Sequence, residues 1–187
     1  MVTEELFHGV ELAKFIESRW TTLERLLNLA SEAELASPTA IIDPQVNVQF
    51  PALDRSKTTF PMSVQSGRAH VTCRIPFSGN WQFLEMPVRT GGQHPVIPGK
   101  LVGPGRFDSA KTLIEMKQDF AADVDPEQIK DWASKRADQI DSELALLRPV
   151  VEEALERLRA RAEKFAAERL DALQTKRRLT DGLEGGI

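Results

Sequence analysis

Asp108, Glu115 and Lys117 are the residue types from which a metal-dependent nuclease is assembled. Two carboxylates hold Mg²⁺, and a lysine two residues after the second acid helps to position the attacking water. Their spacing argues the other way. Such acids usually come from successive strands, and the six residues between Asp108 and Glu115 leave little room for a strand, a turn and a return. Glu115 and Lys117 also alternate with Ile114 and Met116, as in any strand with one wet face. The solvated strand face is therefore the preferred reading, with the metal-dependent nuclease kept beside it as the alternative.

The remaining reactive side chains are scattered. His8, His70 and His94 lie in three different segments with no HxxxH or HExxH spacing, so no metal site is expected. Cys73 is the one cysteine, which excludes an intramolecular disulfide and a cysteine-based zinc cluster within the chain. It alternates with apolar neighbours and reads as a small buried hydrophobe, suited to a reducing compartment. Gly103, Pro104, Gly105 and Arg106 lack the strand, fixed lysine and following helix of a phosphate loop, and read as a turn. No cofactor is expected.

Two basic groups could contact phosphates: Arg157, Arg161 and Lys164, and then Lys176, Arg177 and Arg178. Glu152, Glu153, Glu156, Glu163, Glu168 and Asp171 are interleaved with them, the usual pattern of i to i+4 pairs on a solvated helix. A formal charge of -4 and a pI near 5.5 also weigh against a generic polyanion binder. A nucleic-acid-binding scaffold is a further alternative, not the favoured one.

Positioning these residues falls to an α+β chain. With 187 residues, 41% hydrophobic and 28% charged, the composition suits one folded domain. Leu6, Val10, Ala13, Ile16, Trp20, Leu23, Leu27 and Ala30 recur three or four apart and predict a long helix over residues 3 to about 35, capped by Thr3 and stopped at Ser37 and Pro38. Residues 38–124 hold most of the proline and glycine and predict a small antiparallel sheet of about four strands. Its candidates are Val46, Val48 and Phe50; Val71, Cys73, Ile75 and Phe77; Trp81 to Met86, returning as a hairpin after Ser78, Gly79 and Asn80; and residues 111–120. A short strand near Leu101 is the most expected between 88 and 105.

Asp125, Pro126, Glu127 and Gln128 combine an N-cap carboxylate, proline at the first helical position and a capping-box amide, and predict a helix start. An apolar stripe from Ile129 to Phe165 predicts a helical region over 125–180, either one kinked helix or two helices meeting around Leu147 to Pro149, because proline removes a donor and clashes with the preceding turn. Residues 181–187 read as a frayed tail, and Trp20 and Trp132 as filling a common core. At about 1.5 Å per residue the second half of that region would span about 45 Å, too long for a small sheet to cover. Its seam, with Val151, Leu158, Ala162 and Phe165, must pair with the first helix, a second copy or another protein. A homodimer is the simplest expectation. No signal peptide or membrane span is evident, so a cytoplasmic location without membrane contact is expected.

The run Ile75, Pro76, Phe77, Ser78, Gly79, Asn80, with Leu84 and Pro87 following, resembles the N-terminal region of larger bacterial proteins that end in a restriction-endonuclease-like, PD-(D/E)xK-type domain. The resemblance extends to the helix beginning at Asp125 and to Arg177, Arg178, Leu179, Asp181, Leu183 and Gly185. It departs at Pro87, Val88, Arg89 and Thr90, where that family has a Pro-Ser-Thr-aromatic run, and in the last helix, which lacks an aromatic-asparagine pair. It implies an accessory module without the nuclease domain, working in genome or phage defence, and carries no catalytic residue onto this chain. The overall expectation is a non-enzymatic interaction module that self-associates through its long helices and partners a protein effector.

Overall fold

The computed structural model of the protein describes residues 5–7, 11–87, 97–103 and 111–184. They form an α+β arrangement, a small antiparallel sheet with helices before and after it. The chain divides into two compact units, one from the described residues of Met1–Glu11 with Gln49–Pro149, the other from those of Leu12–Val48 with Val150–Ile187.

The first unit is built on β3 (Arg68–Ser78) and β5 (Leu113–Ala121), the two long strands. They pair antiparallel from Arg68 opposite Ala121 to Pro76 opposite Leu113. β4 (Lys100–Val102) lies on the other side of β5, while β1 (Ala52–Leu53) and β2 (Met62–Gln65) share the other side of β3. Val71, Cys73, Ile75 and Phe77 are buried, as the alternation predicts. Cys73 is fully enclosed, and that burial pushes its thiol up to about 11. Native protein at pH 8 is accordingly expected to resist iodoacetamide and to react once unfolded in urea, as intact-mass spectrometry would show.

Several local expectations give way to packing. Strand β2 lies outside the predicted strands: Met62 and Val64 do alternate with Ser63 and Gln65, but the run is only four residues between Pro61 and Gly67, and all four are exposed. It turns into β3 through Ser66 and Gly67, both at positive φ (49° and 72°), the two-residue geometry that suits the strand twist. Val46 ends a helix, α3 (Thr39–Val46), so the expected strand at Val46, Val48 and Phe50 is absent. Trp81–Leu84 form a 3₁₀ turn instead of a hairpin strand, with Asn80 Oδ1 accepting from Gln82 N at 3.0 Å. The long N-terminal helix is shorter than predicted: Glu5 bridges Pro98, Leu6 N donates to Ile97 O, and Phe7 has φ 59°. The expected cap Thr3 lies outside the described residues.

The second unit is helical. α1 (Leu12–Leu29) is followed by a separate short helix, α2 (Glu32–Ala36), where Ser31 and Glu34 make a capping box. α4 (Pro126–Glu184) is one continuous helix that contributes to both units, beginning where Asp125 Oδ1 accepts from Glu127 N at 2.9 Å. It passes through Pro149 as a single helix, so of the two alternatives the split into two helices is not the one formed. The donor lost there belongs to the bond with Ala145, and both residues are exposed, so water can serve the orphaned carbonyl. The last turns also continue beyond residue 180 to Glu184, where fraying was expected.

Apolar spacing along α4 serves two cores in succession. In the first unit Ile129, Ala133, Ala137, Ile140, Leu144 and Leu147 are buried, Trp132 meets Phe120 edge-on at 5.7 Å, and Arg55 ties the helix down through Asp138 (2.7 Å) and Asp141 (2.5 Å). In the second unit Val151, Leu155, Leu158, Ala162 and Ala166 are buried together with Phe15, Leu23, Leu27, Leu35, Ile42 and Val46. Trp20 and Trp132 therefore serve different units and not one core. Of the three coverings open to the long helix, its own chain's N-terminal helices supply the one observed.

Candidate functional site: a cation-rich sheet face

Burying one face of β3 and β5 leaves the other for polar side chains. Its register sets His70 opposite Asp119, Thr72 opposite Lys117, and Arg74 opposite Glu115, with Lys100 of β4 flanking Glu115 on the far side. With Arg68, the described residues of β3 to β5 place four cations on this face, Arg68, Arg74, Lys100 and Lys117, against Glu115 and Asp119, and Glu5, bridged to Pro98 beside Lys100, adds a third carboxylate at its edge. His70 Nδ1 sits 2.7 Å from Asp119 Oδ1.

Glu115 organises the centre. Arg74 Nε donates to its Oε2 at 3.1 Å, while Lys100 Nζ and Lys117 Nζ stand 3.4 Å and 3.7 Å from its Oε1. The carboxylate side chain is only 9% exposed, whereas the cations are 47%, 44% and 70% exposed. Burial alone would raise the Glu115 carboxyl; the Arg74 hydrogen bond and the Lys100 charge outweigh it and hold the group below its usual range. One sunken carboxylate thus gathers three partly exposed cations. Partly exposed ion pairs contribute little stability, about 0.2 to 1 kcal/mol each. Their consequence is orientation and a local excess of positive charge.

This corrects the view of Glu115 as a simple wet-face residue: Lys117 and Asp119 are exposed, but Glu115 is buried. It also bears on the nuclease alternative. A Mg²⁺ ion at Glu115 would have to compete with Arg74 and Lys100, and Lys117 is engaged with the same carboxylate. Asp108 lies outside the described residues, as do His8, His94, Pro104, Gly105 and Arg106. Among the described residues no three His, Cys, Asp or Glu side chains gather in a group fit to hold a metal ion.

The helical candidates are dispersed differently. Val151, Leu158 and Ala162 are buried within their own chain and have no surface left for a second copy, while Phe165 is half-buried against Trp20 at 5.7 Å. Periodicity marks a buried face without saying what buries it. The basic ridge is largely spoken for: Arg157 pairs with Glu153 at 2.5 Å, Lys164 with Glu168 at 3.8 Å, and Arg161 stacks 3.6 Å from the Trp20 ring centre. Arg177 lies 3.9 Å from Glu32 and 4.0 Å from Asp181, and Arg178 donates to Thr175 Oγ1 at 3.3 Å; Lys176 is exposed.

Sequence reasoning passed over the Arg74, Lys100 and Lys117 grouping because its members come from three strands. The alternation of β3 and β5 predicted a polar face but not the register that brings Lys100 and Arg74 to either side of Glu115. No helix among the described residues is long and apolar enough to cross a membrane. No family model, no curated protein and no solved structure matches the chain.

Proposed function

We propose that the protein is a non-enzymatic interaction module that recognises an acidic segment of a partner protein through the outer face of its sheet. The observation behind this reading is the convergence of Arg74, Lys100 and Lys117 on the sunken Glu115 carboxylate. An acidic side chain arriving from solvent would meet donors already oriented, so the rotamer entropy that weakens most surface ion pairs is partly spent before binding. A protein partner is favoured over nucleic acid because the cations form one short cluster, the chain is acidic overall, and most of the basic residues on α4 have acidic, aromatic or hydroxyl partners.

The resemblance of residues 70 to 185 to the N-terminal regions of nuclease-bearing bacterial proteins adds a class of partner: an effector in genome or phage defence. A neighbouring gene encoding a nuclease, whose product co-purifies with this protein and is lost on charge reversal of the sheet face, would support that assignment.

Calorimetry with an oligo-glutamate peptide at low salt tests the docking face. Binding that weakens with salt, and at least about tenfold in the Lys100→Glu, Lys117→Glu double variant, is expected from two lost and two reversed pairings. Peptide binding that is absent, or unchanged in the double variant, would refute the acidic partner. Tighter binding of a single-stranded oligonucleotide would replace it with a nucleic acid. Mg²⁺-dependent cleavage that disappears in Glu115→Ala would overturn the non-enzymatic reading altogether.

A further inference from the structure

β2 is an edge strand without the usual protections. Natural edges are blunted by charge, proline or a bulge, because their free N–H and C=O groups will otherwise template another strand. Residues 58–66 carry no charged side chain, in a chain of which 28% is charged. Pro61 does not blunt the open side. Thr59 and Arg74 exchange both backbone hydrogen bonds, and Thr72 N donates to Pro61 O at 2.8 Å, so the nitrogen of Pro61 faces β3. The same alternation turns the N–H and C=O groups of Met62 and Val64 away from β3, onto the open edge. Among the described residues nothing bonds to them there, and the two residues are 58% and 57% exposed.

These features are self-complementary. Pleating requires residues facing each other across an antiparallel pair to lie on the same face. A two-fold axis through Ser63, perpendicular to the sheet, meets that condition: Met62 falls opposite Val64 of the second copy, Val64 opposite its Met62, and Ser63 opposite its Ser63. Both Met62 and Val64 pairs are then hydrogen-bonded ones, using all four free groups of each edge, and the apolar side chains meet on one face with no charge opposed to another. We infer that β2 joins a second copy of this chain in that register, forming one sheet across the two-fold axis. The inference is independent of the docking face proposed above. Contact confined to so short a strand falls below the roughly 1,000 Å² of a stable interface, so the association is weak and depends on concentration.

Cysteine trapping tests the register directly. In the Ser63-centred pair the two Ser63 Cα atoms lie about 4.5 Å apart, within disulfide reach. The two Gln65 residues are offset by about four residues, roughly 13 Å, and lie out of reach. Full-length Ser63→Cys is expected to form covalent dimers under mild oxidation, and Gln65→Cys, similarly exposed, to remain monomeric. Adding Val64→Lys to Ser63→Cys should slow trapping about tenfold, since each dimer loses two apolar cross-strand pairs. Equal trapping at both positions, which marks random collision, or none at Ser63→Cys would overturn the pairing, as would trapping unaffected by Val64→Lys. Circular dichroism of each variant confirms that the sheet is intact when the comparison is made.

Discussion

Leu158→Ala is expected to lower stability by about 2 to 5 kcal/mol, the range for emptying a well-packed leucine site, with no change in oligomeric state. Leu158 is 2% exposed and lies on the same stripe of α4 as Val151, Leu155, Ala162 and Ala166, all buried within the second unit. The cost combines lost transfer energy with the cavity left behind, because neighbouring helices held by other contacts collapse only partly. Arg159 is one such hold, 2.7 Å from Asp43 and 3.1 Å from the Asn47 side chain. Urea unfolding, read beside light scattering, decides the matter. A stability change under about 0.5 kcal/mol, with self-association altered, is the behaviour of an exposed seam between copies and would contradict the packing described here.

The second large effect belongs to a turn. Gly79→Ala is expected to cost about 2 to 5 kcal/mol, whereas Gly67→Ala should cost only about 1 to 2 kcal/mol. Both glycines have positive φ, 92° and 72°, so both substitutions carry the strain of an L side chain in left-handed territory. They differ in surroundings. A Cβ on Gly79 would stand 2.4 Å from the Phe50 carbonyl oxygen and 2.7 Å from its carbon, while one on Gly67 would meet nothing within 4 Å. The clash at Gly79 is with backbone, and that backbone is anchored: Asn80 N donates to Gln49 O at 2.9 Å, and the Phe50 ring stacks on buried Phe83 at 4.4 Å. Relief therefore requires moving the core. The difference between the two variants in urea midpoint isolates the clash from the strain, and equal losses would show that the chain at Phe50 yields freely.

The elements legible in the sequence are those whose signals are local or repeat often. β3 alternates through Val71, Cys73, Ile75 and Phe77, and β5 through Ile114 and Met116, so each strand declares its buried face several times over. Asp125 and Pro126 satisfy the orphan donors and the φ preference of a helix start by themselves, without reference to distant residues. The misread segments are short or borrowed their conformation. Val48 and Phe50 alternate like a strand, yet α3 ends at Val46 and the chain then runs to the turn at Gly79. Leu6 fits the helical stripe of α1, but a backbone bond to Ile97, some ninety residues on, holds it elsewhere. Pro149 breaks a helix in general, but here the donor it removes lies on a watered side.

Composition and periodicity alone determined that this chain would be an α+β protein, where its principal strands lie, where its last helix starts, and that this helix carries a long apolar stripe. Those properties follow from interactions between residues close in the chain, whose geometry is set by the period of helix or strand. Tertiary structure decided what covers the stripe, bringing α1 to α3 onto it and withdrawing Val151, Leu158 and Ala162 from any second copy. It also decided that Arg74, Lys100 and Lys117 meet at Glu115, and that the uncharged β2 ends on an open edge. Such meetings depend on strand register and on which faces pack against each other, and a one-residue slip would reverse every side chain involved.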